Sequence, residues 1–157
     1  MGHVVVIGAG AAGCATAYYL SAAGVRVTLV ESEGVGIRAS GWSAGGINPL
    51  HGIPAPIAAL AMESYRLHLA LWPQLERLTG RALEARHITM AMVAPDGLPI
   101  IGRVPDRDGV YVATGGGPKG ILLAPAMGLA VAELILTGRT SLSVGSSAPE
   151  RFLQATT

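Results

Sequence analysis

Residues 3–31 read HVVVIGAGAAGCATAYYLSAAGVRVTLVE, and this stretch decides the fold. It opens with an apolar, β-branched run at Val4–Ile7, which is typical of a buried parallel strand. An uncharged, Ala-rich segment up to Ala23 predicts a helix, and Gly24 predicts its end. A second strand is predicted at Val25–Val30. Strand, helix and strand in about thirty residues indicate a β–α–β unit.

Three glycines join the first strand to the helix at G-x-G-x-x-G spacing. Gly8 permits the tight turn, Gly10 lets a pyrophosphate approach the backbone, and Gly13 allows close packing of helix on strand. The free N–H groups at the helix N-terminus favour phosphate. Glu31 ends the second strand, where a carboxylate can accept both hydroxyls of a ribose and repels the 2′-phosphate of NADP. A Gly-rich turn in an ordinary α/β domain is the alternative, and the surrounding elements favour the nucleotide site.

Composition limits the possible functions. The chain has 157 residues, of which 50% are apolar and 13% charged. This length predicts one domain, and the low charge content predicts association with a partner. The net charge of +1 gives no reason to expect nucleic acid or an anionic membrane as a partner. The single cysteine, Cys14, fits a reducing cytoplasm, and we expect neither a targeting segment nor a membrane span.

The middle of the chain changes character. Residues 32–57 are rich in Gly, Ser, Ala and Pro without periodicity, and a loop this long is usually functional. Leucines at three- and four-residue steps predict a helix over Ala58–Leu78, which Pro73 should kink or divide in two. Gly80 predicts the end of that helix. Arg86–Val93 alternates like a strand.

A second Gly-rich turn, Gly115–Gly120, offers another helix N-terminus to a ligand. Two such turns suit an extended ligand with phosphates at the first turn and a ring system at the second. The elements predicted around it are a short extended piece at Leu98–Ile101, a strand at Val110–Thr114, a helix at Ile121–Leu136 with Pro125 in its first turn and Gly138 as its cap, and a frayed or draped tail from Ser141.

Three blocks of this chain resemble the FAD-dependent amine and amino-acid oxidoreductases of the D-amino-acid oxidase superfamily. The first block is Val4 to Glu31. The second is Ala39 to Pro49, similar to a Gly/Ser/Ala loop of that family. The third is PDGLPIIG at 95–102 with the segment Val110 to Pro125. The resemblance implies an α/β, Rossmann-like FAD/NAD(P)-binding domain whose substrate domain is largely absent.

The expected sheet is parallel, with helices on both faces. It contains Val4–Ile7, Val25–Val30 and Val110–Thr114, the last beside the first strand. We expect a single domain over residues 1–157, in which residues 1–80 join directly to residues 95–140 and residues 141–157 form a tail.

The resemblance implies FAD as the cofactor. It assigns the pyrophosphate, ribose and flavin contacts to one set of residues: Gly8, Gly10, Ala11, Ala12, Gly13, Glu31, Ser32, Arg38, Ala39, Ser40, Ser43, Ala44, Gly45, Gly46, Gly115, Gly117, Lys119, Gly120 and Ile121.

The chain departs from the family at the substrate side. Relatives are usually well over twice as long and carry an Arg-Pro before the PDG turn, where this chain has Ala91 and Met92. Lys119 matches a carboxylate-binding lysine of sarcosine-oxidase-like relatives, so it is the remaining candidate anchor for an anionic substrate; a solvated surface lysine is the alternative. The catalytic residues are unknown. The four histidines have no metal-ligand spacing, and no metal is expected.

The resemblance implies an oxidoreductase that transfers a hydride from an amine or amino-acid C–N bond to flavin. The alternative is a minimal flavin-binding protein or subunit without amino-acid oxidation, acting through a homodimer or a partner chain. An NAD-binding domain is a third hypothesis, which the second and third blocks disfavour.

Overall fold

The computed structural model describes residues 2–43, 47–49, 53–82 and 96–155. It opens with the predicted β–α–β unit: strand β1 (His3–Ile7), helix α1 (Ala11–Ala22) and strand β2 (Arg26–Val30). The strands pair in parallel from His3 opposite Arg26 to Ile7 opposite Val30. Val4, Val6 and Val27 pack with buried Leu20 of α1, because alternate strand residues face the helix. The predicted β–α–β unit is confirmed.

Helix α2 (Ala58–Thr79) is one continuous helix of 22 residues. The prediction that Pro73 divides it is therefore wrong. The carbonyl of Leu69, which Pro73 leaves without an intrahelical donor, belongs to a residue that is 57% exposed, so water can satisfy it. Gly80 caps the helix in the left-handed conformation, as predicted.

Helix α3 (Gly120–Thr137) is the centre of the core and packs against both α1 and α2. Leu122, Leu123 and Met127 are almost fully buried. Gly128 allows the close approach of α1, since a Cβ there would lie 2.5 Å from the Cβ of Ala15. By length and composition the segment Gly117–Thr137 could cross a membrane, but its burial between two helices is that of a core helix.

The expected position of Pro125 in the first turn of this helix is wrong, because α3 begins at Gly120 and Pro125 is its sixth residue. A 3₁₀ turn at Gly117–Lys119 precedes the helix. Proline at this depth cannot donate to the carbonyl of Ile121. His68 of α2 takes the place of that donor, with its Nε2 2.8 Å from the Ile121 oxygen.

The expected three-stranded parallel sheet is also wrong within the described residues. Strand β4 (Tyr111–Thr114) pairs antiparallel with strand β3 (Ile100–Arg103) and forms a second, two-stranded sheet. The two strands are joined by a short turn containing Asp106 and Gly109, both with positive φ. Because a short connection brings antiparallel neighbours together directly, β4 pairs with β3 and not with β1.

The helices cover one face of the β1–β2 sheet. On the other face the side chains of Val5 and Ile7 are 53% and 86% exposed. The expectation of helices on both faces is therefore wrong for the part of the chain that the structure describes. The strand predicted at Arg86–Val93 lies outside the described residues.

The tail from Ser141 is docked on the domain by two short 3₁₀ helices, Gly145–Ser147 and Pro149–Ala155. Arg151 bonds both carboxylate oxygens of Asp96 and the carbonyl of Leu98. Ser147 is fully buried. The tail therefore lies packed against the domain, so the prediction of a draped tail is confirmed and that of a frayed tail is wrong for its described residues.

Candidate functional site

A cavity of about 660 Å³ lies where β1, the N-terminus of α1, residues 34–43, β4 and the N-terminus of α3 meet. Most of the residues predicted to hold a cofactor line it. These are Gly8, Gly10, Ala11, Ala12, Gly13, Glu31, Arg38, Ala39, Ser40, Ser43, Gly115, Gly117, Gly120 and Ile121. The fold thus brings the two Gly-rich turns and the long loop to one place, and contact of these residues with a cofactor stays a prediction.

The first turn is built around a close approach of helix and strand. Gly8 has φ +99°, a conformation that side chains rarely adopt. A Cβ on Gly13 would lie 1.9 Å from the carbonyl oxygen of Gly8, so only glycine fits there. Gly10 caps α1 without a side-chain hydrogen bond. The first N–H groups of α1 consequently lie at the cavity without intrahelical partners, as an anion site requires.

Residues from the long loop complete this end of the cavity. The hydroxyl of Ser40 accepts a hydrogen bond from the Ala11 N–H at 2.9 Å, and its own proton can be donated to a ligand oxygen. The N–H of Gly36 donates to the carbonyl of Ala9 at 2.9 Å. Arg38 forms an exposed ion pair with Glu33. The loop therefore adds a hydroxyl donor and a cation beside the free N–H groups of α1.

Backbone N–H groups hold the carboxylate of Glu31 in one orientation. Its Oε2 accepts the N–H of Ala9 at 2.8 Å, and its Oε1 accepts the N–H groups of Ser32 and Glu33 at 2.7 and 3.2 Å. These bonds, that of Ala9 first, lower the pKa of the Glu31 carboxyl. The carboxylate is therefore ionised at neutral pH, oriented, and able to accept the hydroxyls of a ribose.

The second turn is held by α2. Gly115 and Gly117 have positive φ and lead through the 3₁₀ turn into α3. The Ser64 hydroxyl bonds the carbonyl of Leu122, and His68 bonds the carbonyl of Ile121. These two side chains, one helical turn apart on α2, fix the first turn of α3 against the cavity.

Some predicted site residues are placed differently. Ser32 and Lys119 are not among the residues that line the cavity. Lys119 ends the 3₁₀ turn and is half-buried. Ala44, Gly45 and Gly46 lie outside the described residues. The structure thus gives no direct support to Lys119 as an anchor inside this cavity.

The sequence reasoning missed part of the lining. Gly34, Ile37 and Gly116 line the cavity, as do Met127 and Thr16 beneath it. Gly116 belongs to the second Gly-rich turn, Gly115–Gly120, so the same sequence signal predicts it as a site residue. Met127 and Thr16 give no local signal, because only the crossing of α1 and α3 brings them to the cavity.

The lining suits a dinucleotide such as FAD. The volume falls within the range of about 300–1,000 Å³ common for ligand sites. At one end the cavity offers the free N–H groups of α1 and the hydroxyl of Ser40, which suit phosphate oxygens. Glu31 offers a carboxylate, which suits ribose hydroxyls. At the other end no side chain blocks the backbone of Gly115 or Gly117, so a flat ring system would have room there.

Comparison with known proteins agrees with this geometry. The family model described as FAD dependent oxidoreductase (DAO) matches residues 3–94 and 69–134. The chain therefore belongs to the DAO family of FAD-dependent oxidoreductases.

Individual relatives match shorter stretches. D-amino acid dehydrogenase of Methylobacterium radiotolerans is 38% identical over 81 residues, which is 47% of this chain and 19% of that protein. The enzyme of the same name from Paramagnetospirillum magneticum is 50% identical over 52 residues, 32% of this chain and 12% of that protein. Glycine oxidase of Geobacillus kaustophilus is 45% identical over 49 residues, 31% of this chain and 13% of that protein. The chain thus matches a fifth or less of each of these relatives.

Proposed function

We propose that this chain is the FAD-binding domain of an amine or amino-acid oxidoreductase. The observation that carries the proposal is the meeting of two Gly-rich turns, the Ser40 hydroxyl and the oriented Glu31 carboxylate around one cavity. Family membership supports FAD over NAD as the dinucleotide.

Each group has a distinct role in this proposal. The N–H groups of Ala12 and Gly13 and the hydroxyl of Ser40 bind the pyrophosphate, and Glu31 accepts the hydroxyls of the adenosine ribose. The N–H groups at Gly120 and Ile121 face the ring edge, where the positive end of the α3 dipole stabilises negative charge. FAD, when bound, supplies the acceptor for a hydride from a C–N bond.

The substrate class follows from the relatives, two of which are D-amino acid dehydrogenases and one a glycine oxidase. We propose an amine or amino acid as the substrate. Lys119 stands at the start of α3 and is the candidate cation for a substrate carboxylate.

The experiment that tests cofactor binding is a visible absorption spectrum of the purified protein, with the released flavin identified by mass. We expect about one FAD per chain. Gly10→Leu should abolish FAD retention, because the Gly10 Cβ position is only 3.3 Å from the Ser40 hydroxyl and a leucine would fill the phosphate end. Gly145→Leu is the matched control, since Gly145 lies in open space away from the cavity. Equal flavin content in both variants would contradict the site.

A second candidate function is flavin binding without amino-acid oxidation. The exposed face of β1 carries Val5 and Ile7, and no described residue covers it. A site open on that side lacks the walls that exclude water during hydride transfer. A panel of D-amino acids and N-methyl amino acids with a dye acceptor separates the two: turnover by FAD-loaded protein supports the enzyme, and its absence in yellow protein supports the binding subunit.

A further inference from the structure

The first turn of α3 contains a backbone acceptor that the helix cannot satisfy in the regular way. In a regular helix the carbonyl of Ile121 accepts the N–H of the residue four positions later. That residue is Pro125, which has no N–H. Ile121 is half-buried and lines the cavity, so this acceptor belongs to the wall of the candidate site.

The imidazole of His68 supplies a donor from the neighbouring helix α2. Its Nε2 lies 2.8 Å from the carbonyl oxygen of Ile121 and 3.1 Å from that of Leu122. A carbonyl oxygen can only accept, so Nε2 carries a hydrogen in this arrangement, whatever the state of the other ring nitrogen. One N–H of His68 is therefore shared between two successive carbonyls of the first turn of α3.

The two carbonyls depend on His68 to different degrees. The Leu122 carbonyl also accepts the hydroxyl of Ser64. At the Ile121 carbonyl, His68 stands in for the N–H that Pro125 lacks. Removal of the imidazole N–H should therefore act chiefly on the peptide unit that joins Ile121 to Leu122.

That peptide unit has its N–H, which is the N–H of Leu122, on the side opposite to its carbonyl. It belongs to the first turn of α3, whose N–H groups lack intrahelical acceptors and are directed toward the helix N-terminus. Gly117 and Gly120 line the cavity at that end of the helix. A hydrogen bond to the carbonyl of a peptide unit polarises the unit and strengthens its N–H as a donor. His68 thus strengthens the positive end of α3 and holds its first turn in place.

We propose that His68 is a positioning residue for the flavin, which acts through the first turn of α3. By donating to the Ile121 carbonyl it keeps the N–H groups of that turn directed and polarised toward the cavity, where they favour negative charge on a bound ring. Reduction adds electrons to the flavin, so His68 raises the reduction potential of bound FAD. This inference rests on the proposed function, because it requires FAD in the cavity.

The alternative for His68 is a packing role, in which the imidazole only fills space between α2 and α3. A loss of packing would weaken the binding of oxidised and reduced FAD by the same factor, and this leaves the reduction potential unchanged. The proposal predicts that reduced FAD loses more affinity than oxidised FAD. The reduction potential therefore separates positioning from packing.

The test is the reduction potential of bound FAD in His68→Leu, measured against a reference dye at one fixed pH. Leucine fills similar space but cannot donate a hydrogen bond. We expect the equilibrium to shift toward the oxidised form about three- to tenfold, which for a two-electron couple lowers the potential by about 14–30 mV. Gln74→Leu is the matched control, because it removes a hydrogen bond of 2.7 Å from Tyr18 that joins α2 to α1 and does not involve α3. The control should keep the natural potential.

Two further variants ask whether the donated hydrogen bond is the cause. His68→Gln has an amide N–H at the same number of bonds from the backbone as Nε2, so it should keep most of the natural potential. Pro125→Ala combined with His68→Leu gives α3 its own N–H for the Ile121 carbonyl, so it should restore the potential from within the helix. If His68→Leu does not fold, His68→Met replaces it, because an unbranched side chain adapts to irregular space.

Three results would overturn this inference while leaving FAD binding intact. Equal potentials in His68→Leu and the natural chain would reduce His68 to packing. A potential in His68→Gln as low as that of His68→Leu would assign the effect to a charge on the imidazole and not to the donated bond. A double variant that stays as low as His68→Leu would show that the Ile121 carbonyl is not the point of action. A natural chain that takes up no FAD would instead refute the proposed function, and this inference with it.

Discussion

The hydroxyl of Ser64 bonds two backbone groups of α3, and its removal is a sharp test of how the second turn is held. In a regular helix the N–H of Ala126 would donate to the carbonyl of Leu122. Here the Ser64 hydroxyl donates to that carbonyl at 2.5 Å and accepts the Ala126 N–H at 3.2 Å. Both bonded groups lie beside Pro125, where the helix has already lost a donor.

Ser64→Ala removes the side-chain partner of two buried backbone groups. The Leu122 carbonyl keeps a bond from His68 Nε2 at 3.1 Å, whereas the N–H of Ala126, in a fully buried residue, loses its bond to the Ser64 hydroxyl. Removing the partner of a buried polar group costs about 1–3 kcal/mol, so we expect a loss of about 2 kcal/mol in the free energy of unfolding. For a chain of this length the melting temperature should fall by roughly 4–8 °C.

Urea denaturation and thermal melting of Ser64→Ala measure this loss. The matched control is Ser146→Ala, because Ser146 also donates to a carbonyl, that of Pro56 at 3.0 Å, but at an exposed site. We expect the control to change the free energy of unfolding by less than about 0.5 kcal/mol. Equal, small losses in both variants would mean that α3 holds these backbone groups without Ser64, and the account of Ser64 as their partner would be refuted.

Three further predictions concern packing, pH and substrate. Gly128→Ala places a Cβ 2.5 Å from that of Ala15, so overpacking should cost about 1–3 kcal/mol in thermal melts. Arg151 lowers the pKa of Asp96 to about 2 from its ordinary 3.8, so the folded state gains stability above pH 3.8 and loses it as the pH falls toward 2, which urea titrations at pH 5 and 2.5 measure. If Lys119 holds the substrate carboxylate, Lys119→Met should raise KM for amino acids with little change in kcat.

Each of these predictions has its own control. Gly145→Ala should melt like the natural chain, because its Cβ would meet open space. Asp96→Asn should lack the acid-dependent part of stability that involves this carboxyl; an unchanged pH profile would contradict the role of the ion pair. Lys119→Arg keeps the charge and should retain most substrate affinity, whereas an unchanged KM in Lys119→Met would remove this lysine from the site.

The conformation of the first glycine turn could be predicted from the sequence because its signals are local. Gly8 and Gly13 lie five residues apart and decide one turn, and Glu31 lies at the end of the next strand. Backbone geometry selects glycine directly at both positions. Gly8 has a positive φ, and Gly13 has no room for a Cβ. A short segment therefore carries enough information to specify its own conformation.

The helix-stabilising contacts of α2 could not be predicted in the same way. Ser64 reads as one more small residue on an apolar helix face, and His68 reads as an isolated histidine. Their roles appear only when α2 crosses α3 at Pro125, more than fifty residues away in the chain. Gly128 likewise gives no turn signal in the sequence. Glycine is required there only because α1 approaches so closely that a side chain would not fit.

By itself the sequence determined the β–α–β unit, the glycine turns and the ends of the helices at Gly24, Gly80 and Gly138, because each depends on backbone geometry within a few residues. The tertiary structure alone decided that β4 pairs with β3, that helices cover only one described face of the β1–β2 sheet, and that the tail docks through Arg151. These features depend on which distant surfaces meet. A strand pattern records that a residue is apolar and extended, but it does not record the neighbour against which its edge is hydrogen-bonded.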